Sequence, residues 1–386
     1  MKLNLKRAFR LAIRQKPALL TGSASTCVVI PDATRPIPFQ EVLPPVLDHL
    51  CEVGAPTQIL VGLGLHRPMT NAELAPIHQV AAPRDIDVHQ HDPHGDDLLD
   101  LGQVDHVPIA LNRRLLEAER VLCIGTVEPH QYAGFSGGAK AMAIGCAGES
   151  TISAMHGLTF LRAPNTKLGQ LEDNPFQAHL WKIIDAIANP LGLQLVPAVG
   201  GGIAALSLGR LRQAFDEACR RAYDRSFLEI SRYFDWLHLP VRGPKAINFY
   251  QASRAATYAA LIDRPAIRPG APIIVDAPCP EGIGQGAGEQ ACAVALQRGR
   301  QALLDDLHSQ TTQPLHGGEQ RAYVIARTLQ RNPIALVGAD QPIDALKAVG
   351  IPQYEHADQA LDAFDVTGTH GRRFPDIFHS IPRLTF

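Results

Sequence analysis

Short apolar runs alternate along most of the chain with segments whose apolar residues recur at helical spacing. The runs have the length of strands, and the segments between them are long enough for helices. This alternation is typical of an α/β fold with two domains, each a mostly parallel sheet flanked by helices. The clearest predicted strands are CVVIPDATRPIP (27–38), TQILVGLGLH (57–66), VLCIG (121–125) and APIIVD (271–276).

For other segments, the sequence also predicts a helix cap, a strand end or the inward-facing positions of a helix. The N-terminal residues 1–20 predict an amphipathic helix, and TNAELAPIHQV (70–80) predicts a helix with a capping box. LQLVPAVGGGIAALSLG (193–209) predicts a strand followed by a glycine break. The helix predicted over 208–227 has its inward positions at Leu211, Phe215, Ala218 and Tyr223.

The length of 386 residues favours two domains. We expect an N-terminal domain over residues 1–236, to which the tail 370–386 returns, and a C-terminal α/β domain over 240–365. The segment RGPKAINFYQ (242–251) marks the junction. The active site is expected in the cleft between the two domains, because such clefts are common ligand sites.

Composition narrows the class of protein. The net charge of −2 gives no electrostatic reason to expect nucleic acid or an anionic membrane as a partner. No apolar run reaches the roughly 18 residues of a membrane helix. Seven cysteines without a CxxC pair indicate core thiols in a reducing cytoplasm.

Polar side chains follow three predicted strands. Asp32, Thr34 and Arg35 follow the first, His66 ends the second, and His130 follows VLCIG. Side chains at the carboxyl ends of strands face a shared crevice in α/β proteins. Two histidines there could act as acid and base on opposite faces of one carbon, and an arginine could hold a carboxylate. The alternative is that Asp32 and Thr34 only build a turn and that the histidines are structural.

The segment 125–156 concentrates the candidate chemistry. Its turn AGFSGGAK (133–140) is not a phosphate-binding Walker loop, since alanine precedes the lysine and no Ser or Thr follows. Glycine still lets backbone N–H groups approach an anion. A tight turn with a surface lysine is the alternative. The candidate ligand-binding residues here are Ser136, Gly137, Gly138, Lys140 and His156.

Three further patterns are less specific. His89, His91 and His94 invite a metal interpretation, but their Pro-, Gly- and Asp-rich surroundings favour a solvated loop. GIGQGAG (282–288) loosely fits a dinucleotide loop. Gln251 and Arg254 are three residues apart, on one face of a predicted helix.

Together these residues resemble the nickel-pincer-nucleotide-dependent lactate racemase family. The resemblance lies in several blocks in the family's order across most of the chain. They are DATRPIP (32–38), GLHRPMT (64–70), HD (91–92), EPHQYAGFSGGAK (128–140), CAGESTISAMH (146–156), LEDNP (171–175) and NFYQASR (248–254).

The resemblance implies a racemase or epimerase of a 2-hydroxy acid that works by reversible hydride transfer to a nickel-bearing pyridinium nucleotide. It implies His156 as the nickel ligand and His66 and His130 as the acid/base pair. It also implies cofactor-synthesis proteins as partners, with a homo-oligomer possible. The cofactor would be held by Lys140, Asp32, Thr34, Ser136, Gly137 and Gly138, and the substrate by Arg35, Gln251 and Arg254.

Some residues depart from the family pattern. Arg254 stands where a lysine is typical, Ala246 replaces a common aspartate, and Ile144 replaces a common proline. Neither Trp181 nor Trp236 matches the indole of the lactate pocket. The resemblance therefore implies a larger or differently polar 2-hydroxy acid as readily as lactate. Two other functions stay open: an NAD-dependent 2-hydroxy acid dehydrogenase and a non-catalytic protein that binds a nucleotide or organic anion.

Overall fold

The computed structural model describes residues 3–16, 18–35, 37–199, 201–309, 315–366 and 368–385. The chain folds into two compact units. The first unit comprises residues 1–155 and 176–224, and the second comprises 156–175 and 225–386.

The N-terminal part of the chain alternates helices and strands as its sequence pattern predicts. Its elements are α1 (Leu5–Gln15), β1 (Thr26–Pro31), α2 (Phe39–Glu52), β2 (Thr57–Gly62), α3 (Asn71–Ala81), β3 (Asp87–Gln90), β4 (Leu98–Val104), β5 (Val107–Asn112), α4 (Arg113–Glu117), β6 (Arg120–Thr126), β7 (Pro129–His130), β8 (Gly134–Phe135), α5 (Ala139–Ala143), α6 (Glu149–Met155), α7 (Leu158–Arg162), α8 (Pro175–Ile184), β9 (Pro190–Pro197), β10 (Ile203–Arg210) and α9 (Leu211–Ser226).

The C-terminal part continues the alternation with shorter strands. Its elements are β11 (Phe227–Ile230), β12 (Trp236–Pro240), α10 (Phe249–Ala252), α11 (Arg254–Ala260), β13 (Ile273–Asp276), α12 (Ala287–Gln297), α13 (Arg300–His308), α14 (Gln320–Arg331), β14 (Ile334–Val337), α15 (Ala345–Ala348), β15 (Gln353–Tyr354), α16 (Ala357–Ala363), β16 (Gly371–Arg373) and β17 (Ile381–Leu384).

The first unit is built on a six-stranded sheet with the order β10-β9-β6-β1-β2-β3. All pairs are parallel except β9 with β10. The central strands β1 and β6 are almost wholly buried, which explains their unbroken apolar runs. Apolar residues of α1, α2 and α3 form one core with these strands. The short α5 packs against β1 and β6.

The second unit contains a five-stranded sheet with the order β15-β14-β13-β12-β16, parallel throughout. A separate parallel pair joins β11 to β17. The predicted α/β class with mostly parallel sheets is therefore confirmed. Among the described residues, no helix is both long and apolar enough to cross a membrane.

The two units do not have the predicted limits of residues 1–236 and 240–365. The tail strands β16 and β17 pair with β12 and β11, so the tail lies in the second unit. The division falls near residue 225, and residues 156–175 also belong to the second unit.

Several local predictions need correction. Strand β2 ends at Gly62 and not at His66, because the chain turns at Gly64, whose φ is +56°. Strand β9 is followed by a second strand, β10, which pairs with it in antiparallel fashion. Near the C-terminal end of α9, the buried residue is Ala222 and not the predicted Tyr223, which is only partly buried. By contrast, the capping box of α3 and the buried Leu5 and Phe9 of α1 are as predicted.

Candidate active site

Three adjacent strands of the first sheet bring the predicted polar residues to one edge. Strands β6, β1 and β2 are neighbours and parallel, so their carboxyl ends meet. Asp32 directly follows β1, and His66 lies in the turn after β2. His130 lies in the two-stranded β7–β8 hairpin that follows β6. This edge, with these three residues at its centre, is called the catalytic edge below.

Asp32 and His66 form a hydrogen-bonded pair across the ends of β1 and β2. The distance from His66 Nδ1 to Asp32 Oδ2 is 2.6 Å. Thr34 donates to the other carboxylate oxygen, through its backbone N–H at 3.1 Å and its hydroxyl at 2.5 Å. The Asp32 side chain is 7% exposed, whereas that of His66 is 59% exposed. A neutral His66 therefore carries its proton on Nδ1 and presents the lone pair of Nε2 to solvent.

The pKa of the Asp32 carboxyl lies below its ordinary value. Burial alone acts to raise this pKa, but the hydrogen bond and the charge of His66 act against it, together with the two hydrogen bonds from Thr34. Asp32 is therefore ionised at neutral pH. As a carboxylate it fixes the orientation and the tautomer of the imidazole.

Arg35 connects this pair to the end of β6. Its Nη1 lies 4.0 Å from Glu128 Oε2, a separation that allows attraction but no hydrogen bond. The two side chains are 34% and 27% exposed. No carboxylate of the described residues lies closer to the Arg35 guanidinium, which therefore keeps the capacity to bind a further carboxylate in bidentate fashion.

His130 is held in the opposite tautomer. Its Nδ1 accepts hydrogen bonds from the backbone N–H groups of Tyr132 and Ala133, both at 3.2 Å. An Nδ1 that accepts is not protonated, so neutral His130 carries its proton on Nε2. The neutral imidazoles of His66 and His130 are therefore held in opposite tautomers.

The Gly-rich turn has its polar atoms committed within the protein. The Ser136 hydroxyl donates to Thr126 O at 2.8 Å, and the Gly138 N–H donates to Gln194 Oε1 at 2.8 Å. A Cβ at Gly138 would lie 2.5 Å from the Phe215 ring. Glycine is therefore needed here for close packing. The predicted contacts of Ser136, Gly137 and Gly138 with a cofactor stay predictions.

Two half-buried side chains beside this turn have polar atoms suited to a ligand. Lys140 lies on α5 and is partly exposed. Gln131, next to His130, has a buried Oε1 without a hydrogen-bond partner in the described part of the chain. The turn that carries His66 is tied to the segment after α5, because Gly64 N donates to Gly145 O at 2.9 Å.

The histidine tract is more ordered than the predicted solvated loop. His89 lies on the edge strand β3, and His91 follows it. The His91 side chain is buried, donates from Nε2 to Ala147 O at 2.9 Å, and accepts from Asn112 Nδ2 at 3.3 Å. Burial lowers the pKa of His91, so it is a neutral structural residue. No cluster of three or more metal-ligating side chains occurs in the described ranges.

The remaining predicted residues belong to the second unit. His156 follows α6 and is partly buried. Gln251 and Arg254 are on two consecutive short helices, α10 and α11, and not on one helix as predicted. The break falls at Ser253, and both side chains are partly buried.

The Gly-rich loop of the second unit is filled by its own chain. Glu289 of α12 accepts the N–H of Gly286 at 2.6 Å. A Cβ at Gly284 would lie 2.5 Å from Cγ of Glu289. A dinucleotide pyrophosphate would need this helix N-terminus, which a carboxylate already occupies. This geometry opposes the dehydrogenase alternative.

Comparison with known proteins agrees with the resemblance. Residues 4–169 match the family described as the lactate racemase N-terminal domain. A lactate racemase of Thermoanaerobacterium thermosaccharolyticum is 30% identical over 179 residues, which cover 44% of this chain and 42% of the relative. One of Lactiplantibacillus plantarum is 31% identical over 160 residues, or 40% of this chain and 38% of the relative. The matched segments thus span about two fifths of these curated relatives.

Two solved structures share the fold over nearly the whole chain. The lactate racemase apoprotein of Thermoanaerobacterium thermosaccharolyticum has a TM-score of 0.86 at 22% identity and covers 99% of this chain and 93% of that one. A crystal structure of a Thermotoga maritima protein has a TM-score of 0.72 at 17% identity and covers both chains fully.

The fold is that of an α/β protein in which Asp32, His66 and His130 follow neighbouring parallel strands at their carboxyl ends. Residues 4–169 match the lactate racemase N-terminal domain, and nearly the whole chain shares its fold with the lactate racemase apoprotein.

Proposed function

We propose that this protein is an isomerase that racemises or epimerises a 2-hydroxy acid, with a nickel-pincer nucleotide as its cofactor. The observation that carries the proposal is the His66–Asp32 pair, at 2.6 Å, with the second imidazole nitrogen open to solvent. The pair lies within the segment that matches the lactate racemase N-terminal domain. Lactate racemases among the relatives support the same class of reaction.

The residues at the catalytic edge fit such a cofactor. The buried Oε1 of Gln131, which has no hydrogen-bond partner among the described residues, is an acceptor that a bound molecule can satisfy. The half-buried Lys140 can hold an anionic or thiocarboxylate group. His156 would be the protein ligand to nickel. When bound, the cofactor supplies an electrophilic ring carbon that takes a hydride and gives it back.

Proton handling falls to the two histidines. Nε2 of His66 is the acceptor for the proton of the substrate 2-hydroxyl, and Asp32 stabilises the imidazolium that results. His130 presents Nε2–H and can donate to the same oxygen. To act as a base at Nε2, His130 has to be protonated on Nδ1 and release the N–H groups of Tyr132 and Ala133.

We assign the binding of the substrate carboxylate to arginine side chains. Arg35 has no carboxylate partner closer than 4.0 Å in the described residues, and a planar guanidinium suits bidentate binding of a carboxylate. Gln251 and Arg254 of the second unit are proposed to complete the binding of the substrate. Arg254 keeps the positive charge of the lysine that is typical of the family.

The proposal is tested by loading the full chain with the nickel-pincer nucleotide and following the optical rotation of enantiopure 2-hydroxy acids. Inversion that depends on the loaded cofactor supports it. Nicotinamide turnover without nickel would favour a dehydrogenase, and stoichiometric anion binding without inversion would favour a binding protein. Nickel retention by the His156→Ala variant, measured by metal analysis, would exclude His156 as the ligand.

A further inference from the structure

One face of helix α1 in the first unit carries positive charges without acidic partners. The first 31 residues of the chain contain six lysines and arginines and no aspartate or glutamate. Four of these basic side chains are exposed on α1, and none of the four forms an ion pair within the described ranges. These four residues, together with the exposed Leu11 between them, are called the basic face below: Lys6, Arg7, Arg10, Leu11 and Arg14.

The opposite side of α1 is committed to the core of the first unit. Leu5 and Phe9 are 6% and 2% exposed and pack in that core. A helix that lies in a membrane interface has to insert its apolar side among the acyl chains, and this side of α1 is already covered. What α1 offers to a partner is therefore its positive charge and the side chain of Leu11, which is 55% exposed.

A tract of opposite charge occurs in the same unit. Residues 85–100 contain no lysine or arginine, and their six aspartates are all exposed. Leu101 follows directly and is 40% exposed, at a point where the pairing of β4 with β5 is irregular. In the described ranges, Asp97 forms an ion pair with Arg114 at 3.6 Å, and the other five aspartates form none. Residues 85–101 are called the acidic face below.

The two faces lie at opposite edges of the first sheet. Helix α1 packs against β10, which is one edge strand, whereas Asp87 lies on β3, the other edge strand. The start of β4 is held on the side of β3, because Arg114 pairs with Asp97 and also donates to Gln58 of β2 at 3.1 Å. Five strand spacings of about 4.8 Å separate the edges by about 24 Å. The two faces therefore cannot meet within one chain.

We propose that the basic face of one copy of the chain docks on the acidic face of a second copy, in a head-to-tail association. Each face then places an exposed leucine inside a rim of charges that the other face complements, which is the usual anatomy of a protein interface. A contact between two different surfaces leaves one face of each kind open, so the assembly grows or closes into a ring. The net charge of −2 and the nearby acidic face disfavour a polyanion as the partner. This proposal is independent of the proposed function.

Sedimentation velocity of the full chain, from low to high micromolar concentration, tests the association. At about 0.01 M salt, where the Debye length is about 30 Å, the mean sedimentation coefficient should rise with concentration. At about 1 M salt, where the Debye length is about 3 Å, it should stay at the monomer value. A monomer at every concentration in low salt would overturn the proposal, and so would an association that high salt leaves unchanged.

Charge reversal tests which surfaces meet. Arg10→Glu combined with Arg14→Glu reverses part of the basic face, and Asp87→Lys combined with Asp96→Lys reverses part of the acidic face. Each double variant alone should associate at least about tenfold more weakly than the parent, because like charges then face each other. A mixture of the two variants should associate again, since each reversed face finds a face of opposite sign on the other variant. A mixture that stays monomeric would contradict the pairing of the two faces.

The matched control is Arg300→Glu combined with Lys347→Glu, two exposed positions of the second unit. It changes the net charge as much as the basic-face variant does and should keep the association of the parent. Equal loss in both would show that only net charge matters and would overturn the proposal. Leu11→Ser changes no charge and should also weaken association, because the apolar centre of the contact is lost. Parental association in Leu11→Ser would contradict that part of the proposal.

A different partner for the basic face has its own signature. Vesicles of phosphatidylserine and phosphatidylcholine in equal parts are mixed with the parent and with the basic-face variant, and sedimented in low salt. The proposal predicts that the parent stays in solution, because the apolar side of α1 is not available to the bilayer. A parent that remains monomeric but sediments with the vesicles, and a basic-face variant that does not, would make an anionic lipid surface the partner and overturn the proposal.

Discussion

In each unit a histidine–aspartate pair links two neighbouring parallel strands of the main sheet, or the turns that follow them, and the two pairs differ in what surrounds them. In the first unit, His66 and Asp32 are 2.6 Å apart, and the histidine side chain is 59% exposed. In the second unit, His238 of β12 and Asp276 of β13 are 3.0 Å apart, and the histidine is 15% exposed. Arg242 also lies 2.9 Å from Asp276.

The comparison shows that a hydrogen-bonded pair does not define an acid/base site by itself. In the described part of the chain, the Asp32 carboxylate accepts hydrogen bonds from His66 and from the neutral Thr34, so its charge acts on the imidazole. Asp276 divides its charge between His238 and a guanidinium. The exposed imidazole can reach a substrate, whereas the covered one joins two strands. We therefore assign chemistry to the first pair and stability to the second.

Replacing the two histidines gives the largest expected difference. His66→Gln should lower the racemisation rate by roughly 10²–10⁴-fold, the usual contribution of a general base, with little loss of stability. His238→Gln should leave the rate within about threefold of the parent and lower the free energy of unfolding by about 1–3 kcal/mol. Polarimetry and urea unfolding measure the two effects. Equal loss of activity in both variants would contradict the different roles assigned to His66 and His238.

Replacing the aspartates sharpens the assignment. Asp32→Asn removes a charged hydrogen bond from His66 and should lower the rate by about 10–100-fold, with a changed dependence of kcat on pH. Asp276→Asn should instead destabilise the fold by about 1–3 kcal/mol, because Arg242 loses its carboxylate. An Asp32→Asn variant with parental kcat at every pH would show that the carboxylate does not act through His66.

In the Gly-rich turn, a substitution can show whether Gly138 is needed for packing within the protein. Gly138→Ala should destabilise the fold by about 2–3 kcal/mol, since the new Cβ meets Phe215 and the backbone has a φ of +52°. Gly201→Ala, also at positive φ but with open space around it, serves as control and should cost less. Urea unfolding of both variants measures the difference. A smaller loss in Gly138→Ala than in Gly201→Ala would contradict the packing role.

The smallest expected effect is the dependence of stability on pH. The pKa values of Asp32 and Asp276 both lie below the ordinary value of 3.8; burial acts to raise each, and their hydrogen bonds and paired charges outweigh it. Each therefore stabilises the fold above about pH 4, and this contribution, about 1 kcal/mol each, is lost as the pH falls through the lowered pKa. The stability difference between parent and either Asp→Asn variant should shrink from pH 7 to pH 3 in urea unfolding. A constant difference would contradict the pairing.

The sequence was most informative where local patterns decide the structure. The buried strands and the capping box of Thr70 and Glu73 follow from periodicity and chain-local hydrogen bonds. The meeting of Asp32, His66 and His130 at one edge follows from the parallel sheet that the alternation predicts. The end of β2 was misplaced, since the turn at Gly64 depends on a hydrogen bond to Gly145, far away in the chain.

Contacts between distant segments could not be predicted. Gln194 accepts the N–H of Gly138. The sequence contains one indication of such a contact, because Gln194 is a polar residue inside the apolar run LQLVP. The tautomer of His130 depends on backbone geometry, and no residue type encodes it. The burial of Arg321 likewise depends on packing around α14, because its sequence surroundings look like an exposed helix start.

The central claim is that His66 and His130 move the hydroxyl proton and leave the hydrogen on C2 to the cofactor. Inversion of an enantiopure 2-hydroxy acid by the loaded protein in D2O, followed by NMR of the product, tests this directly. The account predicts a racemised acid that keeps protium at C2, because that hydrogen never exchanges with solvent. Deuterium at C2 in step with inversion would contradict it, since one of the histidines would then be removing the C2 proton.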